Sequence, residues 1–191
     1  MEDYKSVTIC DIYSFINSND EESKKILSSL NKVFIEGWVR TNRDSGSIGF
    51  IAINDGTCFK NAQLVYSGNI KDGDYELSHV NTGAAIAVKG ELVLTPTMKQ
   101  PFEIRVESFE LVGDVDPSYP LQKKRHSVEF LRDIAHLRGR ANMFNAVFRV
   151  RNAMSMAVHT FFQIEVFMYV HTPIFTGNDA EGAGSTFSVV T

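Results

Sequence analysis

Between residues 33 and 111 the sequence breaks into five short runs rich in β-branched and aromatic residues, and this segmentation limits the possible folds more than any other feature. The runs are Val33–Arg40, Ile48–Asn54, Ala62–Tyr66, Ala85–Glu91 and Phe102–Leu111. Turn formers lie around them: Asp44-Ser45-Gly46, Asp55-Gly56, Asp72-Gly73-Asp74 and Thr95-Pro96. Such residues fit a pleated, half-buried surface, and Gly, Asp and Pro supply the turns that end it. Short strands in this number leave exposed edges unless the sheet closes on itself, so the pattern predicts a small β-barrel.

The third and fourth runs are joined by a longer connection, Ser67–Gly83. A five-stranded Greek-key barrel with a helix or long loop at that point is the OB-fold. The pattern alone leaves the OB-fold and other small barrels open. Upstream, Ile26, Leu27 and Leu30 lie at helical spacing within a polar stretch, which predicts one short helix over 23–30. Downstream, Val115-Asp116-Pro117-Ser118-Tyr119-Pro120 carries two prolines that exclude regular helix or central strand, so a hinge is expected. The apolar period then changes from two to 3.6. Ser127 can cap a helix carrying Phe130, Leu131, Ile134 and Leu137. A longer helix is predicted over 141–165, with Met143, Val147, Val150, Met154, Val158 and Phe161 on one apolar stripe. Phe167–Ile174 reads as a strand ended by Pro173, and Gly177–Gly184 as a Gly- and acid-rich loop before a strand-like 187–190. The expected architecture is an OB barrel in 1–113, a hinge in 114–126, and an incomplete α+β domain in 127–191. One helix and one or two strands cannot close a core alone; they need a sheet to pack on.

Charge separates the two ends. Residues 1–118 hold 11 Lys and Arg against 18 Asp and Glu, a net of −7, and residues 119–191 hold 8 against 5, a net of +3. The acidic front cannot hold a nucleic acid by bulk counterion release, so any contact there must be local and specific. The run Lys123-Lys124-Arg125 reads as solvated surface. Cys10 and Cys58 are the only cysteines, too few for a zinc site or a disulfide framework. No apolar run reaches the ~20 residues that span a bilayer. The start Met1-Glu2-Asp3-Tyr4-Lys5 has neither an apolar core nor a basic character of a targeting peptide. A cytoplasmic protein with reduced thiols is expected.

Three segments together resemble the class IIb aminoacyl-tRNA synthetases, most closely the bacterial-type asparaginyl enzymes. The first is Glu36-Gly37-Trp38-Val39-Arg40-Thr41-Asn42-Arg43-Asp44 with Gly49-Phe50-Ile51 and Asn54-Asp55-Gly56-Thr57. It is similar to the opening of that family's anticodon-binding OB domain. The second is Tyr119-Pro120-Leu121-Gln122-Lys123-Lys124-Arg125-His126-Ser127, then Glu129-Phe130-Leu131-Arg132 and Ala135-His136-Leu137-Arg138. It resembles the hinge and the entry into the class II catalytic domain. The third is Phe161-Phe162 through Tyr169-Val170-His171-Thr172-Pro173, then Asp179-Ala180-Glu181-Gly182-Ala183-Gly184. It resembles motif 1 and the asparaginyl form of the loop after it. The rival readings are a stand-alone OB module for tRNA or single-stranded nucleic acid, and a piece of an aspartyl-tRNA synthetase or of the asparagine-synthesising paralogue.

The resemblance implies an ATP- and Mg2+-dependent ligase that makes an asparaginyl adenylate and passes the acyl group to its tRNA. It implies a homodimer built through motif 1, with Pro173 at the interface. It implies that Phe50 stacks on the middle anticodon base, that Arg43 and Gln63 hydrogen-bond the same base, and that Glu103 reads the first. In strand register Phe50 shares a face with Ile48 and Ala52, opposite Ile51 and Ile53, so one face can be core and the other a platform. The residues alone leave open whether Phe50 is platform or core. Glu181 is implied to close over the amino-acid pocket and hold the substrate ammonium. Motifs 2 and 3, which clamp ATP, are not in this sequence, so the chain alone is expected not to form an adenylate or to bind these cofactors. The sequence also departs from the family: Val166 stands where motif 1 has glycine, and Ile164-Glu165 replace a charged pair. If that glycine takes a positive φ at a helix end, valine there is strained.

Overall fold

The computed structural model describes residues 4–175 and 177. It divides into two compact units, Met1–Asn142 and Met143–Thr191. In chain order the elements are β1 (Lys5–Ser6), α1 (Ile9–Asn17), α2 (Glu21–Ser29), β2 (Lys32–Asp44), β3 (Ile48–Asn54), β4 (Ala62–Ser67), β5 (Lys71–Asp72), β6 (Tyr75–Glu76), a 3-10 turn at Leu77–His79, β7 (Ala85–Leu94), β8 (Phe102–Gly113), α3 (Val128–Asp133), a second 3-10 turn at Arg138–Arg140, and α4 (Asn142–Ile164).

The sheet order is β1-β2-β3-β4-β8-β7, and β2 pairs back onto β7. That pairing closes β2, β3, β4, β8 and β7 into a barrel, as the sequence predicts. Its pairs are antiparallel except β4 with β8, which run parallel. Alternate residues of each strand point inward. Val33, Ile35, Val39, Ile51, Ile53, Leu64, Ile86, Val88 and Ile104 are buried there. The predicted strand starts and ends hold to within a few residues, and β2 runs further, to Asp44.

Three register shifts bend the barrel, one in β2 between Val39 and Thr41 and two where β7 meets β8, at Ala85/Ile86 and Lys89/Gly90. A bulge adds one residue, and one added residue exchanges the inward and outward faces of everything beyond it. In β2 the added residue is Arg40: Val39 pairs with Ile53, and Thr41 pairs with Ala52. Val33, Ile35 and Val39 therefore point inward, and past the bulge Asn42 does so while Arg43 turns outward.

The N-terminal stretch holds two helices rather than the single one predicted. The missed helix, α1, is a barrel plug: Ile9 and Ile12 are fully buried in the same core as the strands. Its sequence signal is local. Thr8 accepts from the backbone N–H of Asp11, and the Asp11 carboxylate accepts from the backbone N–H of Thr8, a capping box. The barrel supplies the rest, since Asp55 accepts from the Ile9 N–H at 2.7 Å and Thr57 Oγ1 from the Cys10 N–H at 3.1 Å. The Asn54-Asp55-Gly56-Thr57 turn thus satisfies helix donors that would otherwise be orphaned. Asp20 caps α2, and hydrogen bonds from the Ser18 hydroxyl and the Ser23 N–H hold its carboxyl below the ordinary range. A lowered carboxyl pKa means this cap stabilises above the usual carboxylate range and is lost as pH falls through the lowered value.

In the long connection the β5–β6 hairpin and the Leu77–His79 turn replace a simple loop. Asn42 fixes that turn, with Nδ2 at 3.0 Å from the carbonyl oxygens of Leu77, Ser78 and Val80. The hinge lies back on the barrel: Tyr119 packs over Gly83, and the Arg140 guanidinium sits 5.0 Å above the Trp38 ring. Arg40, the bulge residue, donates to the Arg140 carbonyl at 2.6 Å. Ser127 caps α3 as expected, accepting from Phe130 N–H at 3.2 Å. That helix is shorter than predicted, ending at Asp133, so Ile134 and Leu137 lie outside it.

The second unit is α4 and the segment after it. The helix matches its predicted span, and none of its residues is buried. It ends with Phe167 N–H donating to Phe162 O and Val166 N–H to Gln163 O, the two bonds of a Schellman cap. The residue at the left-handed position of this cap is Val166, at φ 66°, the one non-glycine positive φ among the described residues. A β-branched side chain there costs about 1–2 kcal/mol, partly offset by glycine's own entropy cost. Val166→Gly should therefore slow amide exchange at Phe167, measured by hydrogen exchange on the intact chain. The expected strand over 167–174 is not formed, and Pro173 lies in an exposed irregular segment. A strand exists only through bonds to a neighbour, and the long strands described here all pair within the barrel. The Gly-rich loop with Glu181 and the strand-like 187–190 lie outside the described residues. Among the described residues, no helix is long and apolar enough to cross a membrane.

Candidate nucleic-acid interface

The outward faces of β2, β3, β4 and β8 form two cross-strand rows. In the first, Arg43 pairs with Phe50, Phe50 with Val65, and Val65 with Arg105. In the second, Thr41 pairs with Ala52 and Ala52 with Gln63. Glu103 continues that row on β8, where Gln63 Nε2 donates to its Oε1 at 2.6 Å. Directly paired residues hold their Cβ atoms about 5 Å apart, so each row is a continuous strip of side chains.

Phe50 is 37% exposed, while its strand neighbours Ile51 and Ile53 are fully buried. The ring therefore lies outside the barrel, on the side away from the core. Beneath it, Gly49 leaves room for the Tyr66 ring, which is 3% exposed and hydrogen-bonds Asn42 Oδ1 at 3.4 Å. Burial, then the nearby Asp44 carboxylate, push the Tyr66 phenol up, so it stays a neutral donor. This packing holds β3 from below and gives the exposed ring a rigid support. Beside Phe50 the small Ala52 leaves the sheet surface low between Thr41 and Gln63.

The structure brings Arg43, Phe50, Gln63 and Glu103 onto this one face. Arg43 and Phe50 are exposed, and Gln63 and Glu103 half-buried. Pro173 lies in the second unit. Sequence reading missed Arg105, whose exposed guanidinium ends the first row and lies 3.8 Å from Glu91. Its signal was weak, a single cation inside an acidic region. It also missed the contact between Gln63 and Glu103, because 40 residues separate them. Chemically, the face offers a flat ring for stacking, donors from one guanidinium, an amide with both donor and acceptor, and a carboxylate that only accepts. An unpaired base can stack on such a ring and be read on its Watson–Crick edge.

Residues 33–112 match the family of OB-fold nucleic acid binding domains that includes tRNA anticodon readers. The asparagine–tRNA ligase of Alkaliphilus oremlandii is 50% identical over 187 residues, 98% of this chain and 38% of the relative. That of Clostridium acetobutylicum is 56% identical over 160 residues, 84% of this chain and 34% of the relative. Over most of its length this chain is similar to asparagine–tRNA ligases. It spans about a third of the length of these curated asparagine–tRNA ligases. The asparaginyl-tRNA synthetase of Pyrococcus horikoshii, solved with asparaginyl-adenylate, superposes with a TM-score of 0.68 at 25% identity, over 80% of this chain and 35% of that one. The aspartyl-tRNA synthetase of Entamoeba histolytica shares the fold at 18% identity and a TM-score of 0.60, over 74% of this chain and 36% of that one. Both the asparagine–tRNA ligases and this aspartyl enzyme therefore use the same framework, and only the former are close in sequence.

Proposed function

We propose that this chain supplies the anticodon-reading part of an asparagine–tRNA ligase, and that the outer face around Phe50 receives the middle anticodon base. The observation that carries this is the convergence of Arg43, Phe50, Gln63 and Glu103 on one barrel face with the Phe50 ring 37% exposed. Phe50 stacks on the base. Arg43 donates to a carbonyl oxygen of the base, and Gln63 addresses its imino group. Glu103 accepts from the first anticodon base, where a guanine offers N1–H and N2–H. The acidic charge of residues 1–118 fits a reader that depends on these local contacts rather than on attraction to phosphate.

The whole enzyme would join asparagine to its tRNA in the cytoplasm, through an adenylate formed from ATP with release of pyrophosphate. In that enzyme Glu181 holds the substrate ammonium, and Pro173 sits at a homodimer interface built on motif 1. The exposed apolar stripe of α4 fits a surface that another subunit covers. ATP and Mg2+ would be bound by the whole enzyme. We divide the chain at 113 and 126, because β8 ends at Gly113 and Ser127 caps α3.

The test is binding of anticodon stem–loops that differ only in the middle base. Changing uracil to cytosine there should weaken binding by roughly tenfold or more, the worth of one or two hydrogen bonds to an unpaired base edge. Equal affinity for the two loops would instead mark a general single-strand binder.

A further inference from the structure

We infer that Glu103 is a positioning residue for the middle-base subsite: its hydrogen bond to Gln63 fixes which end of the Gln63 amide faces the base, and so selects uracil over cytosine. This rests on the anticodon reading above and adds to it a coupling between the first- and middle-base subsites.

The two ends of a Gln amide differ in chemistry but little in shape, so an unconstrained Gln can turn either one to a base. Here the choice is forced. Gln63 Nε2 lies 2.6 Å from Glu103 Oε1. An ionised carboxylate accepts and cannot donate, so only the NH2 end of the amide can face it. A bond to a charged acceptor is also about twice as strong as one between neutral groups, which opposes rotation. The amide oxygen then lies on the opposite edge of the same planar group. Strand order completes the argument: β8, with Glu103, and β3, with Phe50, flank β4 on opposite sides. The oxygen is therefore on the side of the stacking ring.

An acceptor at that position pairs with the imino N3–H of uracil. Cytosine carries a lone pair at the same atom, so two acceptors would face each other and cytosine is refused. Arg43 only donates, which matches a carbonyl of uracil and gives no help to an amino group. The uracil preference thus depends on a carboxylate that does not touch that base.

The experiment compares the intact chain with Glu103→Gln, a near-isosteric change that removes the charge and gives the partner a donor of its own. Binding is measured for two anticodon stem–loops, with uracil or cytosine in the middle and guanine first in both. In Glu103→Gln the Gln63 amide is free to turn. The cytosine loop should gain relative to the uracil loop, and the preference should fall about tenfold, the factor set by one hydrogen bond. Loss of the first-base contact weakens both loops alike and cancels in the ratio. In a Gln63→Ala background the same substitution should leave the ratio unchanged. A ratio that stays at the unsubstituted value in Glu103→Gln, with both loops weakened equally, overturns the coupling and leaves the anticodon reading standing. If the unsubstituted chain shows no uracil preference, the anticodon reading fails, and the coupling with it.

Discussion

Gly90→Ala should lower the stability of the barrel by about 3 kcal/mol, the upper end of what overpacking costs. A Cβ at Gly90 would lie 2.2 Å from the backbone carbonyl oxygen of Arg105 and 3.0 Å from Ile104 Cγ2. A clash with a flexible side chain is relieved by rotation, but this one is with backbone. That backbone cannot retreat, because Arg105 is paired to Glu91 on one side and to Val65 on the other. Gly90 also sits at one of the two register shifts of β7 on β8. Gly113→Ala, near the far end of the same pair of strands, is the control. Its Cβ would meet only Ala85 Cβ at 3.8 Å, an ordinary contact, and the variant should unfold like the parent. Urea titration followed through the single tryptophan, Trp38, reads both. An unfolding midpoint in Gly90→Ala equal to that of Gly113→Ala would mean that the barrel does not close as described.

Phe50→Ala should weaken binding of the anticodon loop by about 2 kcal/mol, roughly thirtyfold, the usual worth of one base stacked on an aromatic ring. The barrel should remain folded, because the ring lies on the outer face. Ile51→Ala gives the opposite pattern. That side chain is fully buried, and its truncation should cost about 2–5 kcal/mol of stability, a loss that falls on fold and binding together. Phe50→Trp preserves a π-face and should retain most of the affinity, whereas Phe50→Leu keeps apolar area without the ring and should lose it. Equilibrium binding paired with a melt of each variant separates these cases. A Phe50→Leu variant that binds as well as the parent would mean that apolar contact, not stacking, is what the position supplies.

The barrel was legible because its signal is repeated: each strand carries its own alternation and its own turn residues. The plug helix α1 was not, because it contributes only Ile9 and Ile12 to the core and its donors are satisfied by Asp55 and Thr57, distant in sequence. Arg43 shows the limit most sharply. Simple alternation from Val33, Ile35 and Val39 puts Arg43 inside the barrel. The extra residue at Arg40 turns it out beside Phe50, and nothing in a period-two pattern announces a bulge. The family likeness implies a base contact for Arg43, where the period-two pattern alone would bury that residue. The strand expected over 167–174 failed for a related reason. A strand-like composition cannot supply the neighbour a strand must bond to. Val166 was readable in advance, since a glycine position at a helix end predicts a left-handed cap whatever side chain stands there, and the backbone takes that conformation at φ 66°.

The most direct test of the account is photo-crosslinking from an anticodon loop carrying 5-iodouracil in the middle position, with the crosslinked peptide sequenced. A base stacked on the exposed ring should crosslink to Phe50 on β3, and the crosslink should be lost when the middle position is moved to another base of the loop. A crosslink that maps instead to the basic run Lys123-Lys124-Arg125, or shows no preference among positions, would contradict the assignment of this face as the anticodon reader.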